Sequence, residues 1–157
     1  MLCMSKVMSP RRRGWLFVAG QFALIIAITL SPSEQSSAGI VAIGRLVFVV
    51  GAVILGISAL NLGKSLTAHP QPLESATLKT TGLYAWVRHP IYSGLILLML
   101  GSVLMAPSVV KLLLLTALVV LLNLKAKFEE TFLISKYENY GDYSVRVGKF
   151  FPRFIRK

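Results

Sequence analysis

The sequence predicts an all-α, polytopic integral membrane protein with about four transmembrane helices and a cytoplasmic C-terminal helical tail at the interface. Three observations predict it. Hydrophobic residues make up 55% of the 157-residue chain and charged residues only 15%, which is too apolar for an ordinary soluble domain. The apolar residues gather in four stretches almost free of charge. The positive residues fall outside those stretches, mostly on one side.

The first apolar segment runs from Trp15 to Leu30, directly after Arg11–Arg13. The second, Ile40 to Leu62, carries Arg45 near its start, and the third covers Ile91 to Ala106. The fourth, Val109 to Leu124, has Lys111 near its beginning. A spanning helix needs about 20 apolar residues, with a range of roughly 17–25. The second segment meets that directly. The others are short and rely on interfacial flanks such as Trp15, Tyr84 and Trp86. Arg45 and Lys111 lie within about a turn of a helix end, where long side chains reach the headgroups. Arg11–Arg13, an apolar stretch and Ser36–Gly39 also fit the layout of a cleaved signal peptide. The stretch is long for that, since an h-region usually has about 7–15 residues.

The tail from Lys125 onward differs in kind. Phe128, Phe132 and Tyr137 recur at near-helical spacing among charges, as in a helix lying on a membrane surface. Two parts follow: residues 1–62 with two spans, and residues 63–157 with a cytoplasmic loop, a transmembrane hairpin and the tail. No internal repeat or low-complexity tract is present.

The net charge of +11 raises nucleic acid as a partner, but its placement argues otherwise. With both termini cytoplasmic, 15 of the 17 Lys and Arg residues lie inside. The outer connections, Ser31–Gly39 and Pro107–Ser108, hold none. Topology and anionic lipid therefore account for the charge. The expected partners are the bilayer and an apolar or lipid-like small molecule, with no nucleic acid. Short loops and compact size suggest a bacterial inner membrane. Cys3 is the only cysteine, so neither an intrachain disulfide nor a thiolate zinc cluster can form, and no metal site is expected. The sequence leaves the oligomeric state open, although Gly51 and Gly56 permit close helix packing.

Candidate chemistry comes from the hairpin. Pro107–Ser108 leaves no room for a long loop, so segments three and four run antiparallel. His89 lies 18 residues before Pro107 and Glu129 lies 22 after it, depths of roughly 27 and 33 Å at the helical rise. Arg88 and His89 should therefore face Glu129 and Glu130. Pro90 suits the first helical position, which puts His89 beside exposed amides that favour an anion. Tyr92 can share a face with His89, Gly82 permits a tight turn, and Tyr84 and Trp86 offer flat apolar surface. Taken one at a time, these residues also fit simpler roles: a snorkelling Arg88, an incidental His89, a solvated Glu129–Glu130 pair and aromatics of the interfacial belt.

"GLYAWVRHPIY", a short hairpin, "EE", then "YENYGDYSVRVGKFFP" together resemble the isoprenylcysteine carboxyl methyltransferase family. The related phospholipid N-methyltransferases share part of the pattern. The resemblance covers Ala76 to Pro152, and the N-terminal half matches only as apolar spans. It implies an integral membrane methyltransferase that uses S-adenosylmethionine bound on the cytoplasmic side. It also implies cofactor contacts at Leu78 and Lys79, Tyr84, His89, Pro90, Ile91 and Tyr92, and Glu129 or Glu130. Lys125 or Lys127 falls where the eukaryotic enzymes have a basic residue associated with substrate. The chain departs from the family at Ala76, often a His, and at Lys136–Tyr137, usually an aromatic-Gly. It also has fewer spans than the eukaryotic enzymes.

Methyl transfer from a sulfonium needs mainly positioning and electrostatics. Arg88 and His89 are the candidate catalytic residues, His89 serving as base only if the acceptor is an amine or hydroxyl. Aromatic faces at Tyr84 and Tyr92 suit a sulfonium. Two other readings stand beside this one: a non-enzymatic membrane adaptor or assembly protein, and an NADPH-binding protein, since sterol reductases look similar around the Arg-His pair.

Overall fold

A computed structural model describes residues 9–63 and 77–153. Cys3, Lys6, Lys64, Ala76, Arg156 and Lys157, which figured in the reading of charge and motif, lie outside the described residues. The fold is all-helical. Helix α1 spans Pro10–Leu30, α2 Ala38–Leu62, α3 Pro90–Met105, α4 Val109–Lys136 and α5 Tyr140–Arg146, with a 3-10 turn at Gly82–Ala85 before α3.

The element boundaries follow local chemistry. Pro10 and Pro90 occupy first-turn positions of α1 and α3, where a missing N–H leaves nothing unsatisfied. The Ser108 hydroxyl caps α4 by accepting from the Lys111 N–H at 3.1 Å, closing the turn between α3 and α4. Gly82 adopts φ +63°, and an added Cβ there would lie 2.6 Å from the Asn61 amide, so the turn into the site requires glycine twice over.

Among the described residues three helices, α1, α2 and α4, are long and apolar enough to cross a membrane, whereas α3 has 16 residues and rises only about 24 Å. The reading of a separate surface helix from Lys125 is revised by α4. No Gly or Pro interrupts Val109–Lys136, so the helix runs unbroken through the charged residues for about 42 Å. Much of α2 is exposed and apolar, with Leu46 at 65% and Leu60 at 82%. Such a surface is a liability in water and ordinary in a bilayer.

Two packings hold the bundle. Helices α2 and α3 approach backbone to backbone through glycines seven residues apart. A Cβ at Gly51 would lie 2.4 Å from the Leu98 nitrogen, and one at Gly101 would lie 2.4 Å from the Phe48 nitrogen. Gly44 faces Gly101 and Gly51 faces Gly94, so each step of seven along α2 matches seven back along α3. Without a hydrophobic drive between helices in lipid, this close approach supplies the attraction. Gly51 is thus spent inside the chain, while Gly56 faces open space. The second packing is an apolar core in which Tyr92, Leu95, Met99 and Val103 of α3 meet Leu115, Leu118, Leu122 and Ala126 of α4, with Ile28 of α1. At the far end the two short connections touch, the Glu34 N–H donating to the Pro107 carbonyl at 2.8 Å.

Candidate functional site

The hairpin brings the predicted residues together. Arg88 Nε donates to Glu130 Oε1 at 3.0 Å, and His89 Nε2 lies 3.1 Å from the same oxygen. His89 Nδ1 lies 3.5 Å from Glu129 Oε2, and the Tyr92 hydroxyl donates to Glu129 Oε1. The carboxylates remain partly accessible, at 17% for Glu129 and 16% for Glu130. Lys149 adds a cation 3.8 Å from Glu130 and donates to Asn123 Oδ1 at 3.2 Å.

His89 faces a carboxylate with each ring nitrogen, an arrangement that only the doubly protonated imidazolium satisfies as donor on both sides. Burial pulls its pKa down, but the hydrogen bonds to Glu129 and Glu130 and their charges outweigh that, and the net shift is upward. The ring also stacks on Tyr92 with centroids 5.5 Å apart.

The C-terminal segment completes the site. Val87 and Gly148 form a parallel bridge, with the Arg88 N–H donating to the Gly148 carbonyl at 2.8 Å and the His89 N–H to the Lys149 carbonyl at 3.0 Å. The Ser93 hydroxyl donates to the Phe150 carbonyl at 2.7 Å. Arg88 Nη1 donates to the Val147 carbonyl at 2.6 Å and also to that of Ser144, satisfying carbonyls at the end of α5. A Cβ at Gly148 would fall 1.9 Å from the Phe151 carbonyl oxygen, so this turn admits only glycine.

The remaining expected positions lie around the cluster. Leu78 packs against the α5 aromatics Tyr140 and Tyr143, and Lys79 is half-buried beside it in sequence. Tyr84 is buried, and its carbonyl accepts from the Tyr143 hydroxyl at 2.5 Å. Burial first, then the charge of Tyr143 and Glu129, pushes the Tyr84 hydroxyl up to about 12. Ile91 packs against the α3–α4 core. Lys127 is exposed. Lys125, the other residue expected at a substrate position, is 2% exposed, with Nζ donating to Gln21 Oε1 at 2.9 Å and lying 5.1 Å from the Tyr92 ring centre. The Tyr92 ring is therefore already engaged by His89 and Lys125.

Beside the polar cluster lies an apolar cavity of about 410 Å³ between α2, α3 and the tail. Pro90, Trp86, Leu97 and Phe151 line it, as does Phe150, whose ring also meets His89 and Tyr92 edge-on at 6.2 and 6.4 Å. One aromatic ring thus borders both polar and apolar compartments. Sequence reasoning missed Lys149, Gly148, Phe150 and Gln21. Gln21 carried a signal, being a lone amide inside an apolar span. The other three lie in the Tyr137–Pro152 motif, but nothing in that motif says where the tail docks, and only its folding back brings them to the hairpin.

Fold and site together define a membrane-embedded helical protein with a charged cluster at one end of its bundle. Residues 40–140 match the family model for phospholipid methyltransferases, and the chain belongs to that family. Its fold is that of the eukaryotic intramembrane Ras methyltransferase, isoprenylcysteine carboxyl methyltransferase, with a TM-score of 0.69 at 24% identity. The likeness covers 93% of this chain and 54% of that one, so the chain spans about half the length of that enzyme. No curated protein matches the chain in sequence.

Proposed function

We propose that the chain is an S-adenosylmethionine-dependent methyltransferase acting on an apolar or lipid-like acceptor at the cytoplasmic interface. The observation that carries this reading is the meeting of Arg88 and His89 with Glu130 at 3.0 and 3.1 Å, directly beside an apolar cavity. The donor set fits the cofactor: partly accessible carboxylates suit ribose hydroxyls and an ammonium, and His89 at the start of α3 suits a carboxylate. The Tyr140 hydroxyl, in a residue 1% exposed, is a buried side-chain polar atom without a protein partner among the described residues, which points to a polar group still to be met. When bound, S-adenosylmethionine supplies an electrophilic methyl group on a sulfonium.

The chain's own residues divide the work. Glu129 and Glu130 hold and orient through hydrogen bonds. Arg88, occupied by Glu130 and two tail carbonyls, is a positioning residue. His89, held as a cation between carboxylates, is a poor base, which favours an acceptor that arrives already anionic, such as a carboxylate or thiolate. We assign Lys127, exposed on α4, to attracting such a group, and the apolar cavity to its hydrocarbon part. We assign the catalytic part to residues 63–157. The gathering of Lys and Arg at the site end, with only Arg45 and Lys111 toward the other end among the described residues, supports a cytoplasmic location for the site and both termini.

Calorimetric titration of the detergent-solubilised protein with S-adenosylmethionine, S-adenosylhomocysteine and NADPH tests the reading. The first two should bind and NADPH should not, and Glu130→Gln should weaken binding by roughly tenfold or more. NADPH binding alone would overturn the proposal. Binding of none of the three would favour an adaptor.

A further inference from the structure

We propose that Lys125 is a positioning residue: clamped by Gln21 of α1 over the ring of Tyr92, it fixes the Tyr92–Glu129 hydrogen bond on which the site depends. This inference rests on the reading of Glu129 as a ligand-holding group.

An ammonium buried among membrane helices is costly, and such residues are kept where they do something specific. Lys125 is 2% exposed where the apolar part of α4 gives way to its charged end. Two contacts hold it, and the charge of Glu129 lies within electrostatic reach one turn along α4. One is the Gln21 amide oxygen at 2.9 Å, which ties α4 to α1. The other is the face of Tyr92, with Nζ 5.1 Å from the ring centre, within cation–π range.

Each contact has a consequence one residue further on. The cation over the ring withdraws electron density from Tyr92, which makes its hydroxyl a stronger donor to Glu129 Oε1. The ring, pinned on α3 by Lys125 and by stacking with His89 at 5.5 Å, holds that hydroxyl in place. Glu129 Oε2 meets His89 Nδ1, and His89 Nε2 meets Glu130. A continuous chain of contacts therefore runs from Gln21 through Lys125, Tyr92, Glu129 and His89 to Glu130. Gln21 lies ahead of residue 40, where the family match begins, so the chain of contacts recruits a helix outside it. An apolar residue at 125 would fill the same space and remove the charge. Lys125 acts through Tyr92 and touches no reacting atom.

Direct binding of S-adenosylhomocysteine, measured by calorimetry on the full chain in detergent, reads the effect without turnover. Lys125→Met should weaken binding about fivefold or more, Gln21→Leu should act in the same direction, and Lys125→Arg should restore part of the loss. In a Tyr92→Phe background Lys125→Met should add much less than in the wild type, because the hydroxyl that carries the effect is gone and only the direct attraction to Glu129 is left. Unchanged affinity in Lys125→Met, or a full additional loss on top of Tyr92→Phe, would overturn the inference, as would a lowered melting temperature with affinity intact. If the wild-type protein fails to bind S-adenosylhomocysteine, the proposed function fails first, and the two failures are distinguishable.

Discussion

His89 makes the pH dependence of this protein predictable in sign. Its pKa is raised in the folded state, so its contribution to stability is complete below the unfolded value of about 6.5. That contribution is lost as pH rises through the folded pKa. Melting temperatures of the wild type should therefore fall between neutral and alkaline pH more steeply than those of His89→Gln, which cannot titrate there. Parallel curves would remove His89 as the titrating group. Arg88 offers a second test at this scale. Its side chain and that of Glu130 are 12% and 16% exposed, so removing the guanidinium takes one of the three cationic partners from the carboxylate and strands the carbonyls of Ser144 and Val147. Arg88→Met should cost about 2–4 kcal/mol and speed hydrogen exchange in α5, read by mass spectrometry.

Among elements, the α2–α3 pair and the returning tail set the geometry. Gly51→Ala places a methyl 2.4 Å from a backbone nitrogen and should destabilise by more than about 2 kcal/mol. Gly56→Ala, facing open space, should be neutral or gain about 1 kcal/mol from helix propensity. Thermal unfolding of the two variants side by side checks the assignment of the buried face. Gly148→Ala should release the Val87–Gly148 bridge, detected as faster exchange at the Arg88 and His89 amides. These elements also mark how far the sequence could be read. The hairpin was legible because Pro107–Ser108 leaves one way to turn, and helical rise then fixes which residues are level. The unbroken course of α4 was less so, because charge suggested an end where only Gly or Pro would have made one. The glycine register between α2 and α3 was unreadable in advance, since Gly51 and Gly56 look alike until the partner helix is placed.

For the whole molecule, the charged cluster is assembled from residues far apart in sequence: Gln21 in α1, Arg88 and His89 before α3, Lys125, Glu129 and Glu130 in α4, Lys149 in the tail. The Arg88–Glu130 half was legible because both partners belong to one hairpin. The Gln21 and Lys149 contacts were not, because no local pattern links them to it. A family match over residues 40–140 does not reach either of those two residues.

The docking of the tail onto Arg88 also sets an order in time. A ribosome delivers the hairpin before Ser144 to Phe150, at about 5–20 residues per second. Until that later stretch emerges, Arg88 has Glu130 but neither tail carbonyl, and the backbone of Arg88 and His89 lacks the Gly148 and Lys149 partners they hold in the finished fold. Helices α1 to α4 are already made by then. A chain stopped at Tyr143 would insert those helices like the uncut one and yet never mature, so a stop codon there should be as damaging as the loss of Arg88 itself.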